Sequence, residues 1–446
     1  MRDLSAVVKA YDIRGLYPTQ LDESIARDLG AAFVRVVETA SVVLGHDMRP
    51  SSPGLAAAFA EGARAQGADV VDIGLASTDQ LYFASGHRQS AGAMFTASHN
   101  PAQYNGVKLC RAGASPVGQD SGLREIQALV EGGVPPYDGA PGELARHDLL
   151  DAYGEHLRAM VDLTAARPLT VVVDAGNGMA GHIVPAVLGP LPFTVVPMFF
   201  ELDGTFPNHE ANPIDPENLR DLQRAVREHG ADAGLAFDGD ADRCFVVDER
   251  GGIVDPSVLT ALIAERELAK EPAGTVIHNL ITSRAVPEVV RENGGTPVRT
   301  RVGHSFIKAE MARTGAVFGG EHSGHFYFRD FWNADSGMLA ALHTLAALGT
   351  QPGPLSALLD RYGRYAASGE INSRVPDQAA KVAEIEQRYA GAELDHLDGL
   401  TVDLGDGSWF NVRASNTEPL LRLNVEAPDR ARMEQVRDEV LALVRR

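Results

Sequence analysis

Cysteine is nearly absent from this 446-residue chain, which carries only Cys110 and Cys244. A disulfide framework is excluded on count, and a reducing compartment is the expectation. Both thiols fall inside apolar runs and read as small buried hydrophobes rather than nucleophiles. No apolar stretch approaches the ~20 residues of a membrane span, and Met1 to Tyr11 lack the apolar core of a secretory signal. A cytoplasmic location is therefore expected. Runs of Lys or Arg are missing too, and the formal net charge is −20. Nucleic acid, which calls for a basic patch, is excluded as a partner. An acidic chain also repels anions at long range. A phosphorylated ligand would have to be held by a few focused cations or by a metal.

Apolar residues make up 44% and charged residues 22%, so the chain can form several domains, each with its own core. Three segments share one layout of short β-branched run, turn, helical stretch and second apolar run. They are Ser41–Gly74, Leu169–Phe200 and Gly274–Gly303. Strands alternating with helices read as βαβ units, and three such segments suggest three related α/β domains with mixed sheets. In the second, Asp215-Pro216 is a helix start and His229-Gly230 a stop. Ala233–Phe237 then reads as a buried strand with Asp238 at its carboxyl end, where open α/β sheets bind ligands. The tail differs. Gly399–Leu404, Ser408–Arg413 and Leu420–Glu426 read as strands and Arg430–Val444 as a closing amphipathic helix, a fourth, α+β domain. The expected boundaries are 1–149, 150–250, 251–362 and 363–446, with linkers sought at Gly132–Pro141, Asp248–Asp255 and Arg361–Gly369.

The sharpest motif is Asp238-Gly239-Asp240-Ala241-Asp242-Arg243. Carboxylates at alternate positions suit a hard cation that takes oxygen ligands. An EF-hand reading places Glu249 at the twelfth position, but Arg243 occupies the sixth, where that loop needs Gly, and the flanks are strands. A solvated acidic turn fits poorly between two strongly apolar strands. Arg243 beside the metal suits a phosphate oxygen.

The second motif is Thr96-Ala97-Ser98-His99-Asn100-Pro101, followed by Tyr104-Asn105-Gly106-Val107-Lys108. Asn-Pro and Asn-Gly steps fix a turn between two strands. Ser98 is a weak nucleophile that needs a base or a neutralising cation, and His99, Lys108 and the metal are at hand. Taken alone, an inert Asx/Ser turn is the better account of this loop. Three weaker loops follow. Gly319 to His325 contains Glu321, Ser323 and His325, which could meet sugar hydroxyls. Arg413-Ala414-Ser415-Asn416-Thr417 could cradle a phosphate dianion. Lys9 to Gly15 carries Tyr11 and Arg14. Each of these could equally be an ordinary polar loop or strand end.

In this order the five loops resemble the α-D-phosphohexomutase superfamily, above all its bacterial phosphomannomutase/phosphoglucomutase branch, from Lys9 to Arg422. The resemblance implies four domains around a central cleft, with Ser98 as the phosphoserine. Asp238, Asp240 and Asp242 would hold Mg²⁺ together with Ser98, and Arg243 would neighbour the phosphoryl group. Glu321, Ser323 and His325 would bind the sugar, and Arg413, Ser415, Asn416 and Thr417 the phosphate that is not transferred. Tyr11, Arg14, His99, Lys108 and His304 would line the reacting end. The implied activity converts mannose 1-phosphate to mannose 6-phosphate through hexose 1,6-bisphosphate, which also serves as activator, with glucose phosphates as candidate further substrates, in a monomer or small homo-oligomer. Phosphoglucomutase and phosphoglucosamine mutase are the alternatives within the class. A non-catalytic sugar-phosphate-binding protein on the same fold is the alternative outside it. His322 replaces the Met usual in dual-specificity enzymes, Ala241 replaces a common Gly, and only Arg284 is basic in the stretch 278–284, where some relatives carry a phosphate-binding Lys.

Overall fold

The computed structural model describes residues 3–415 and 419–446, apart from the side chains of His304 and Ser305. The chain forms two compact units, Met1–Pro256 with Ser323–Ser356, and Ser257–His322 with Ala357–Arg446.

In the first unit two mixed sheets repeat one plan. The first runs Ile13–Leu16, Tyr104–Arg111, Ala91–Phe95, Ser41–His46, Asp69–Leu75 and Leu144–Arg146 in spatial order. The last four strands are parallel and the first two antiparallel. The second sheet places Ala233–Phe237 parallel to Leu169–Asp174 and antiparallel to Cys244–Asp248. In both, an inner strand buried at every position turns back as a hairpin. The turn lies at that strand's carboxyl end, the favoured ligand side of such sheets. One turn carries Ser98 and the other Asp238–Arg243. The expected linker Asp248–Asp255 has the form of a hairpin, in which Ile253–Val254 pairs back onto Val246–Val247.

Burial follows the sequence pattern. Helices Glu23–Val37, Ser52–Ala65 and Leu123–Gly132 send Leu29, Phe33, Leu55, Phe59 and Ile126 into one core with Val42, Leu44 and Phe95. Helix Thr78–Arg88 closes the other face through Leu81 and Ala84 on Val43 and Met94. Helix Gly337–Gly349 is apolar all round and buried at every residue, as such a helix must be.

The second unit holds a parallel set in which Thr275–Asn279 lies between Thr296–Thr300 and Phe318–Gly320. Its tail is an antiparallel sheet of Leu400–Asp403, Trp409–Ala414 and Leu420–Ala427. Helix Arg430–Val444 packs on it through Met433, Val436 and Val440. The expected linker at 361–369 is tied down. Arg364 pairs with Glu288 and Glu292, and Tyr365 donates to Glu288.

Candidate active site

Ser98 sits on the turn between two paired strands, with its side chain buried. Its φ is +49°, a left-handed conformation that costs a non-glycine residue energy and persists only where neighbours hold it. Its Oγ donates to Asp238 Oδ2 at 2.8 Å and lies 3.1 Å from His99 Nδ1. Arg243 Nη2 donates to the same imidazole nitrogen at 2.7 Å, so Nδ1 is an acceptor and the ring is neutral. Burial, then the Arg243 and Arg14 guanidinium groups, hold the His99 pKa far below the ordinary imidazole value. Arg14 reaches this loop because its strand pairs with Tyr104–Val107, and it donates to Asn100 and Asp12. Tyr11, half-buried, lies just before that strand.

The acidic loop meets the serine loop at Gly239, where a Cβ would lie 2.4 Å from the Ser98 carbonyl oxygen. Only glycine fits there. Asp238 accepts from the Arg243 backbone at 3.2 Å and from its Nε at 2.9 Å. Asp240 Oδ2 accepts from Thr78 Oγ1 and Lys108 Nζ, both at 2.6 Å, and Asp242 Oδ2 from Lys108 Nζ at 2.5 Å. Asp240 Oδ1 and Asp242 Oδ1 are buried and accept no hydrogen bond. Ligand oxygens of all three carboxylates lie within 4.8 Å of one another. Two unsatisfied anionic oxygens in a buried cluster are costly unless a cation meets them, so the donor set fits a hard divalent ion. Burial and the Asp242 and Asp240 charges push the Asp238 pKa up to about 7 against the pull of Arg243. Asp240, although buried, is held below the carboxylate range by Lys108 and Thr78. Glu249 instead accepts from the backbone and hydroxyl of Ser356, which disposes of the EF-hand reading. Ala241 has φ +60°, the reason a glycine would suit that position.

Ser323 and His325 join this cluster. Ser323 Oγ and His325 Nδ1 are 2.9 Å apart, and His325 Nε2 lies 3.7 Å from Asp242 Oδ1. His325 also bridges to Arg243 through the backbone. The first unit thus gathers Ser98, His99, Lys108, Arg14, Arg243, Ser323, His325 and the three aspartates.

The other candidates belong to the second unit. Glu321 is buried and accepts from Asn279 Nδ2 at 3.3 Å and the Gly303 backbone at 3.1 Å. Arg413 lies 3.3 Å from Glu370 and 3.6 Å from Asp398. Ser415 is buried, and its backbone donates to Leu420. Asn416, Thr417 and the side chain of His304 lie outside the described residues. Arg284 pairs with Asp403, and its backbone N–H donates to Glu426.

Two residues escaped the sequence reading. Arg49 lies beneath the serine loop, and Thr78 holds Asp240 by its backbone as well as its hydroxyl. Both follow the carboxyl ends of parallel strands, Ser41–His46 and Asp69–Leu75. The rule that located Asp238 could have found them.

Comparison with known proteins adds to this geometry. Four phosphoglucomutase/phosphomannomutase family models match the chain: alpha/beta/alpha domain I over residues 5–133, domain II over 151–252, domain III over 255–365 and the C-terminal domain over 370–443. A protein of Xanthomonas campestris named for phosphohexose mutases is 46% identical over 98% of both chains. A Salmonella montevideo phosphomannomutase is 43% identical over 98% of both. The crystal structure of a phosphoglucomutase/phosphomannomutase family protein from Burkholderia thailandensis superposes with a TM-score of 0.89 at 34% identity, over 99% of this chain and 97% of that one.

Proposed function

The chain belongs to the phosphoglucomutase/phosphomannomutase family and is a phosphohexomutase, and we propose that it interconverts mannose 1-phosphate and mannose 6-phosphate through phospho-Ser98. The observation that carries the reading is the Ser98 hydroxyl donating at 2.8 Å to an aspartate of a buried three-carboxylate cluster, with Arg243 on the same oxygen. The preference for mannose is supported by the phosphomannomutase at 43% identity.

Asp238, Asp240 and Asp242, with Ser98, would hold Mg²⁺, which when bound supplies charge neutralisation for a transferring phosphoryl group. Phosphoryl transfer asks chiefly for position and charge stabilisation. Ser98 Oγ is the carrier. In the forward direction its bond to phosphorus breaks, a bond from the sugar 6-hydroxyl to phosphorus forms, and the proton of that hydroxyl passes within the site to the Ser98 Oγ left behind. The hexose 1,6-bisphosphate turns end for end. Its 1-phosphoryl group passes to Ser98 Oγ, the proton of Oγ passes to the O1 oxygen, and the hexose 6-phosphate product leaves. Dephosphorylated Ser98 holds its proton on Oγ toward Asp238 Oδ2, the arrangement of the present structure. Arg243 and Lys108 supply fixed positive charge. Neutral His99 accepts from Arg243 and holds its guanidinium beside Ser98. Tyr11, Arg14 and His304 complete the reacting end, while Glu321, Ser323 and His325 read the sugar. Arg413, Ser415, Asn416 and Thr417 hold the idle phosphate. Hexose 1,6-bisphosphate serves as activator by recharging Ser98.

The test is conversion of mannose 1-phosphate, glucose 1-phosphate and glucosamine 1-phosphate, each with Mg²⁺ and a trace of glucose 1,6-bisphosphate. Mannose 6-phosphate should form fastest. A faster glucose or glucosamine reaction transfers the assignment to that sugar. Release of inorganic phosphate without isomerisation overturns the phosphoserine cycle.

A further inference from the structure

Arg49 is fully buried, and all five of its guanidinium N–H groups are taken up by protein oxygens. Nη2 donates to the carbonyls of Ser98 at 2.8 Å and Asn100 at 2.6 Å. Nη1 donates to the carbonyls of Pro101 at 3.0 Å and Tyr104 at 2.9 Å. Nε donates to Asp47 Oδ2 at 3.2 Å. Asp47 is itself fixed by the Ser52 hydroxyl at 2.6 Å and the Arg49 backbone at 3.0 Å. An arginine so engaged has no donor left for a phosphate. It serves the loop instead.

The loop needs that service. Between strands Ala91–Phe95 and Tyr104–Arg111 its internal backbone bonds are few, chiefly Asn100 N to Ala97 O and Tyr104 N to Pro101 O, both at 3.0 Å. Three of its carbonyls, and that of Tyr104 where the next strand begins, point to a single planar fork, and one belongs to Ser98, the residue at φ +49°. A strained residue stays strained only when its surroundings over-determine it. Here the surroundings are the guanidinium under the carbonyl and the close approach of Gly239.

Resting on the reading of Ser98 as phosphoryl carrier, we infer that Arg49 is the positioning residue of the phosphoserine loop: it holds Ser98 in its left-handed conformation and thereby sets how fast Oγ gains and loses a phosphoryl group. A lysine cannot substitute, because its ammonium is a point with three donors and cannot span four carbonyls. A displacement of about 1 Å at a reacting atom costs about 100-fold in rate.

The experiment compares wild type, Arg49→Lys and Asp47→Asn as full-length protein. The second variant loosens the guanidinium without removing it, so it remains informative if the first does not fold. Glucose 1,6-bisphosphate is the phosphoryl donor, Ser98 phosphorylation is followed by mass spectrometry, and Mn²⁺ binding is measured by electron paramagnetic resonance. The Arg49→Lys protein should phosphorylate about 100-fold more slowly, with kcat falling in parallel, KM little changed and Mn²⁺ affinity falling far less, because three of the four ligands proposed for the metal are carboxylates that Arg49 does not hold. The Asp47→Asn protein should show the same pattern at smaller amplitude. Wild-type phosphorylation rates in a folded variant overturn the inference. So does a loss shared equally by Mn²⁺ affinity, since general loosening moves both. If wild-type Ser98 accepts no phosphoryl group, it is the phosphoserine reading itself that falls, and this inference with it.

Discussion

Replacing Lys108 with methionine should lower stability without metal and enlarge the stabilisation that metal provides. Lys108 Nζ bridges Asp240 and Asp242 at 2.6 and 2.5 Å, and the two carboxylates are 0% and 2% exposed. Removing one partner of a buried ion pair costs about 3–5 kcal/mol, because the other charge is left without compensation. The lysine side chain is itself 16% exposed, which places the cost near the lower figure, about 3 kcal/mol. At about 2–4 °C per kcal/mol for domains of this size, the melting midpoint in EDTA should fall by about 6–12 °C. A divalent ion would compensate the same two carboxylates through their unpaired Oδ1 atoms. Mg²⁺ should therefore recover much of the loss in the variant and raise the wild-type midpoint less. Differential scanning fluorimetry in EDTA and in Mg²⁺ reads both effects. Equal Mg²⁺ shifts in the two proteins, or a variant that melts with wild type in EDTA, would refute the charge argument.

Arg413→Ala should raise KM by about 10- to 100-fold, the worth of one or two hydrogen bonds to a charged group, and change kcat less. The contact removed is made to the phosphate that does not react, and an unchanged KM in steady-state kinetics would contradict the cradle. His278 should make the second unit sensitive to acid. Burial depresses its pKa from 6.5 to about 4, so between those values the unfolded chain binds the proton first and stability falls as pH falls. The contribution is fully present above pH 6.5, and about 3 kcal/mol of it is lost on acidification to pH 4. Denaturation curves of His278→Asn across that window should be flatter by this amount, and identical slopes would remove His278 as the cause.

Much of this site was legible because alternation and punctuation marked strand ends. Ala233–Phe237 is an unbroken apolar run, so Asp238 had to lie at its edge, and the three aspartates had to face one another across a tight turn. The tail strands and the helix Arg430–Val444 were legible for the same reason. Arg49 and Thr78 also follow strand ends, but what they hold there was not legible. Each works through hydrogen bonds to a loop far along the chain, Thr78 to a residue 162 positions away, and local pattern carries no information about such a partner. The turn at Asp248–Asp255 read as a linker, but its pairing was not legible: two residues, Ile253 and Val254, are too few to show alternation, and they return it to the sheet. The left-handed Ser98 was invisible for a related reason: sequence marks that conformation by glycine, and here the guanidinium enforces it.

The proposed cycle stands or falls on Ser98 carrying the phosphoryl group between the two ends of the substrate. The most direct measurement starts from enzyme carrying ³²P on Ser98 and adds unlabelled mannose 1-phosphate for a single turnover. The account predicts that the label leaves the protein and appears on O6 of mannose 6-phosphate and of the bisphosphate, with Ser98 rephosphorylated by unlabelled phosphate and no labelling possible in Ser98→Ala. Label that remains on the protein while mannose 6-phosphate accumulates, or that emerges as inorganic phosphate, would contradict it.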